Sequence, residues 1–215
     1  MAQIFPSWTN RIPLYILAAA GGTAVVVIGL FWYYASARYT DVGYRPVQPV
    51  PYSHKLHAGD LGIDCLYCHY SVEQSASANV PPTSICMNCH NLILPESEKL
   101  LPVRESWASG QPIKWVRVHK IGEYAYFNHS IHVKRGVGCI SCHGNVAEME
   151  IVQQKQPLSM GWCLDCHRDP VQHIRPVEEV TNMNWVKSAD QLEYALRIID
   201  EKKIAPPETC SACHR

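Results

Sequence analysis

All ten cysteines of this sequence fall into one pattern, Cys-x-x-Cys followed at once by histidine. The five copies are Cys65, Cys68 and His69; Cys86, Cys89 and His90; Cys139, Cys142 and His143; Cys163, Cys166 and His167; and Cys210, Cys213 and His214. Two thiols separated by two residues span one short turn, which suits the two vinyl groups of a porphyrin. The adjoining imidazole then turns inward as an iron ligand. The chemistry is covalent attachment of c-type haem. Structural zinc sites and thiol redox centres also use Cys-x-x-Cys, and ten cysteines can form a secreted disulfide framework. None of these needs a histidine beside every pair, so the expectation is five covalently bound c-type haems.

Eleven histidines less these five leaves six that could fill the opposite face of an iron. Four of them form two His-x-x-His pairs, His54 with His57 and His129 with His132, each ahead of two haem motifs. Residues three apart on a helical turn share a side while their rings diverge to separate targets. His54, His57, His129 and His132 are therefore expected as distal ligands. The offsets His54 to His129 (75 residues), Cys65 to Cys139 (74) and Cys86 to Cys163 (77) mark two di-haem modules in series. The fifth motif has no such pair. His119 is the first candidate for its distal ligand and His173 the second. A methionine at one haem, with Met149 and Met160 ahead of Met87 and Met183, would raise that centre's potential.

The elements that must position these groups begin with Ile12–Tyr34, 23 residues without a charge. At 1.5 Å per residue they span about 34 Å, enough for a hydrocarbon layer of about 30 Å. Trp8 and Tyr15 at one end and Trp32, Tyr33 and Tyr34 at the other fit interfacial aromatic belts. Pro13 falls in the first turn, where its missing donor costs nothing. A cleaved signal peptide is the rival, with Ala35-Ser36-Ala37 as its triplet, but the apolar run is too long for one. Arg11 and Arg38 balance across the span, so orientation follows from haem attachment, which takes place outside the cytoplasmic membrane. A single pass results, with residues 1–11 cytoplasmic, 12–34 the anchor and the haem domain periplasmic. Gly21-Gly22 would let a partner helix approach closely.

Beyond the anchor, Pro46, Pro49 and Pro51 predict an extended tether over 35–53. The first di-haem module and its connector then occupy 54–118, the second module 119–176, and a helix with the fifth site 177–215. One short helix broken near Pro102 is expected between 95 and 114. A clearer one starts at a Ser188 cap, with Leu192, Ala195, Leu196 and Ile199 as its apolar stripe and Pro206-Pro207 beyond it. Residues 38–215 offer only about 36 residues per haem motif, too few for an ordinary side-chain core. The fold class expected is a multihaem cytochrome c of mostly short helices and loops wrapped around five haems, preceded by one N-terminal transmembrane helix.

Nineteen basic and nineteen acidic side chains give no net charge and no argument for nucleic acid. With every cysteine consumed and six histidines spare for five irons, no nucleophile and no obligatory open coordination site stands out. The economical reading is electron transfer with no catalytic residue, drawing on quinol chemistry performed by a membrane partner. Two other readings stay open at this point. One is a self-contained quinol dehydrogenase feeding a periplasmic reductase, which would bind quinol by itself. The other is a multihaem reductase with one open, high-spin haem.

The His-x-x-His and Cys-x-x-Cys-His modules resemble the class III multihaem cytochromes. The whole arrangement is similar to the membrane-anchored pentahaem cytochrome subunit of bacterial alternative complex III. The likeness lies in the single N-terminal helix, the five motifs, the runs from Tyr126 to His132 and from Met160 to Pro170, and the terminal motif ending at Arg215. It implies mainly bis-histidine haems and a complex that transfers electrons from quinol to an acceptor. The implied partners are polytopic quinol-oxidising membrane subunits, a peripheral subunit with iron-sulfur clusters, and a soluble or attached cytochrome c or copper protein as acceptor.

Overall fold

A computed structural model describes residues 4–214, so the start of the cytoplasmic segment expected at 1–11 and the final Arg215 lie outside the described residues. The chain divides into two compact units, Met1–Asp41 and Val42–Arg215. The first is built on a 3-10 turn, Ser7–Arg11, running into helix α1, Ile12–Tyr34. Pro13 sits in the first turn of α1, where an N–H would have no partner within the helix, so its absence costs nothing. The helical stretch Ser7–Tyr34 contains an 18-residue window with a mean hydropathy of 2.2 and is long enough to cross a membrane. At its C-terminal end the rings of Tyr33, Tyr34 and Tyr39 pack with centroids 4.7–5.6 Å apart. Tyr39 comes from a short helix, α2 (Ala37–Thr40), followed by a turn through Gly43.

The extended path expected over 35–53 thus begins only at 44, because α2 takes up the proline-free part of that stretch. It is also tied down. Gln154 N donates to Tyr44 O at 3.0 Å, and the Gln48 amide bonds both the N–H and the carbonyl of Val116.

In the second unit the elements are short. A π-helical turn, Lys55–Asp60, follows His54. The helices are α3 (Cys65–Cys68), α4 (Thr83–His90), α5 (Leu101–Ser109), α6 (His129–Lys134), α7 (Cys139–His143), α8 (Met160–Arg168), α9 (Gln191–Glu201) and α10 (Cys210–Cys213). Among the described residues there is no strand, only isolated antiparallel bridges joining Ala125 to His214 and Val137 to Ile174. Pro102 initiates α5 instead of breaking it, since proline in a first turn removes no helical hydrogen bond, and Gly110 with φ +70 closes it. On α9, Ala195 is fully buried, but Leu192 and Leu196 are 57% and 52% exposed, so the expected stripe is covered along one edge only.

Side-chain packing is sparse. Val72, Val133 and Val180 form one small cluster with Leu66 and Ala78 against it, and the other buried apolar residues are Val50, Val103, Met149, Ile174 and Ala195. The accessible surface is 15147 Å², whereas a folded chain of 24.2 kDa exposes about 10,000 Å². Part of the excess is the bare α1. In the second unit, large apolar side chains such as Leu61, Leu92, Leu94 and Tyr124 also stand exposed.

Candidate haem-attachment sites

Every Cys-x-x-Cys begins or completes a helical turn. Three motifs open short helices of their own, α3, α7 and α10; the other two close the longer α4 and α8. On such a turn residues i and i+3 share a face, so both thiols of a pair point the same way. Side-chain caps fix where two turns begin. Asp64 accepts from Leu66 N at 2.7 Å, and Ser159 Oγ accepts from Trp162 N at 3.4 Å.

None of the ten cysteines is in a disulfide. Burial, with help from neighbouring thiols, pushes Cys142 up to about 12 and Cys65 up to about 11, the reverse of an activated redox thiol. Among the described residues, no group of three or more His, Cys, Asp or Glu is arranged to hold a bare metal ion, as a zinc site would require. The thiols are thus neither joined to one another nor, among the described residues, gathered as a zinc site would gather them.

The histidines carry the more specific signal. Four motif imidazoles donate Nδ1–H to a backbone carbonyl: His69 to Asn79 at 2.7 Å, His90 to Ile93 at 3.0 Å, His167 to Pro207 at 2.7 Å and His214 to Tyr124 at 3.1 Å. Three spare histidines do the same at 2.8 Å, His57 to Ser53, His129 to Ala76 and His132 to Asn128. A carbonyl oxygen only accepts, so the proton sits on Nδ1 and the Nε2 lone pair is left for a metal. Burial also holds the rings of His143 and His54 neutral. His143 is pushed down to about 3, with His119 and His129 adding to the effect, and His54 to about 4, with His69 adding.

Two imidazole–metal bonds of about 2 Å, with about 1 Å more from each nitrogen to its ring centre, place the centroids of an axial pair roughly 6 Å apart. His57 and His90 stand 6.1 Å apart, His132 and His167 6.2 Å, and His129 and His143 6.4 Å. The second histidine of each pair thus faces the second motif of its own module, and His129 faces the first motif of the second module. His54 has His69 as its strongest electrostatic neighbour after burial. The residues fit iron porphyrin at these positions.

The remaining candidates are placed as follows. The ring of His119 lies 4.3 Å from that of His143, in the third motif, and its Nε2 is buried without a hydrogen-bond partner. His54 Nδ1 is likewise buried and unpartnered. A buried ring nitrogen left so costs about 1–3 kcal/mol unless something else meets it. His173 follows the 3-10 turn Pro170–Gln172, half-buried. Met149 is buried and Met160 is 66% exposed.

Two aromatic residues pack on the histidine pairs. Tyr52 and Phe127 each stand two positions before a His-x-x-His pair. Tyr52 is edge-on to His54 (4.8 Å, 86°) and stacked on His57 (4.4 Å, 22°). Phe127 repeats this with His129 (4.7 Å, 85°) and His132 (4.5 Å, 29°). The signal was there in the shared aromatic-x-His-x-x-His spacing. Asn128, whose Oδ1 caps α6 by accepting from Ser130 N at 3.0 Å, holds the second pair on its helix.

Residues 125–215 match the family described as cytochrome c7 and related cytochrome c. This stretch is similar to the cytochromes c of that family. Such a sequence implies covalently bound c-type haem, and the matched residues include α6 with His129 and His132 and three of the five motifs. A relative, the "Menaquinone reductase, multiheme cytochrome c subunit" of Nitratidesulfovibrio vulgaris (strain Hildenborough), is 28% identical over 177 residues, covering 69% of this chain and 82% of the relative.

Proposed function

We propose that this chain binds five c-type haems outside the membrane and conducts electrons between a quinone-reactive membrane partner and a periplasmic redox carrier, α1 anchoring it beside that partner. The observation that carries the reading is the recurring geometry of a motif imidazole faced by a second imidazole roughly 6 Å away, with Nδ1 of both rings held by carbonyls in two of the three pairs. When bound, haem supplies the one-electron chemistry.

The chain's own part is to orient and close the iron sites. Cys65 with Cys68, Cys86 with Cys89, Cys139 with Cys142, Cys163 with Cys166 and Cys210 with Cys213 would form the thioethers. His69, His90, His143, His167 and His214 would each supply one iron ligand. The second would come from His54 for the first motif, His57 for the second, His129 for the third and His132 for the fourth. For the fifth, His173 and a methionine are the candidates; His119, expected there from its sequence position, lies instead beside His143 of the third motif. Closed sites favour transfer over substrate chemistry at iron.

The likeness to the pentahaem subunit of alternative complex III supports polytopic and iron-sulfur partners, with electrons leaving quinol for a cytochrome c or copper protein. The relative's name, a menaquinone reductase subunit, favours a second reading, in which the same row delivers electrons to menaquinone. Purification of the native complex tests both. Quinol should reduce the haems in the complex and leave the isolated chain oxidised. Reduction of the isolated chain by quinol would instead support the self-contained dehydrogenase. Oxidation of the pre-reduced complex by a menaquinone analogue, without the converse reaction, would establish the second direction.

A further inference from the structure

We infer that the five attachment motifs are strung in space in the order second, first, third, fourth, fifth, so that the motifs at 86–90 and 210–214 are the two ends of the row. This deepens the electron-transfer reading and rests on each motif carrying a haem. The sequence order is inverted at the start, and separate contacts fix each step.

The second motif meets the first directly. Asn88 Nδ2, inside one, donates to the Tyr67 hydroxyl, inside the other, at 3.0 Å. Tyr52 packs at once on His54 and on His57, whose ring faces His90. What backs α4 is α5, through Thr83 Oγ1 and Ser106 Oγ at 2.6 Å.

The first motif then meets the third across 74 residues of sequence. Cys65 Sγ reaches Thr181 O at 4.0 Å and Cys139 N donates to Val180 O at 2.9 Å, so the two motifs begin on neighbouring carbonyls. Thr181 Oγ1 adds a bond to the Asp64 carboxylate at 3.0 Å. His129, which faces His143, donates both its backbone N–H and its Nδ1–H to Ala76 O, in the loop that leaves the first motif. The same junction holds Val72, Val133 and Val180.

The third and fourth are joined by one short helix, since α6 carries both His129, facing His143, and His132, facing His167. The fourth and fifth are joined by the segment that leads into α10. His167 Nδ1 donates to Pro207 O at 2.7 Å, and Arg168 pairs with Glu208 at 3.2 Å. Partners that exchange electrons at the tips of the row therefore meet residues of the second and fifth motifs.

The test is an experimental structure of the haem-loaded native complex with iron positions located by anomalous scattering. The four shortest iron–iron separations should join the sites of His90 and His69, His69 and His143, His143 and His167, and His167 and His214. Any other pair among those four overturns the order. A missing iron would instead refute the five-haem reading, and the neighbours that remain would still be scored. In solution, His57→Met keeps both thioethers of the second motif and changes one ligand. Its altered potential should shift the titration of the His69 site and leave the other three superimposed on wild type, with haem methyl resonances as the readout. A shift at the His143 or His214 site with none at His69 would overturn the proposal as well.

Discussion

Gly136→Ala strikes the joint between α6 and the third motif. Gly136 has φ +82 and ends the helix that carries His129 and His132; its carbonyl accepts from Arg175 N at 2.9 Å, beside the bridge between Val137 and Ile174. A methyl group there would overlap the Arg175 carbonyl oxygen, which is backbone and cannot swing away. Left-handed backbone costs an L-residue about 1–2 kcal/mol. Separating the two segments forfeits a backbone hydrogen bond worth about 1 kcal/mol. The sum, about 2–3 kcal/mol, corresponds to a fall of roughly 4–12 °C in a domain of this size. Gly43→Ala is the matched control, because Gly43 has φ +90 with open space where its Cβ would stand, and so bears the strain alone. Thermal unfolding of the loaded protein, followed by Soret absorbance and far-UV dichroism, should place the Gly136 variant at least about 2 °C below the Gly43 variant. Its haems served by α6 should also lose ligation before the haem served by His57. Equal melting of the two variants would refute the close approach of the Gly136 and Arg175 backbones.

His57→Ala and His132→Ala should each open one iron, giving one high-spin haem out of five by resonance Raman while the other four stay low-spin; an unchanged spectrum would remove those residues from the ligand set. Tyr52→Leu and Phe127→Leu keep apolar bulk but remove the flat face on which His57 and His132 rest. Each should leave the haem count unchanged by mass and broaden the low-spin EPR lines of its own module only. Ser106→Ala removes a hydroxyl that donates to Gln111 O at 2.6 Å and meets Thr83, at an expected cost of about 1–2 kcal/mol in urea unfolding. Burial holds His173 below its ordinary pKa of 6.5. Folding therefore favours the neutral ring: that stability is present above pH 6.5 and is lost as the pH falls from there through the depressed folded value. His173→Gln should flatten that part of the stability–pH curve, and an unaltered curve would show that the ring is not held neutral.

Much of the site was legible because its chemistry demands fixed spacings. Cys-x-x-Cys-His and His-x-x-His are one-turn geometries, and the turns α3, α6, α7 and α10 form where those residues stand. The apolar run of α1 is set by composition alone. Other features depend on partners distant in sequence. The tether reads as free from its prolines, yet Gln48 and Tyr44 are bound to Val116 and Gln154, contacts that no local pattern announces. The stripe on α9 shows periodicity but not which edge docks; Gln191 and Ala195 are buried there while Leu192 and Leu196 remain open. Spatial order was hidden for the same reason. The junction of the first and third motifs is made by Val180 and Thr181, two ordinary residues that belong to neither.

The thinness of the side-chain core bears on biogenesis. A polypeptide with so little of its own to bury is a mould waiting for its casting, and shape and cargo must arrive together. With the haem domain outside the membrane, as proposed, it would have to cross as an open coil and receive its porphyrins before proteases find it. Cells starved of haem should accordingly accumulate no empty stock of this chain, only fragments.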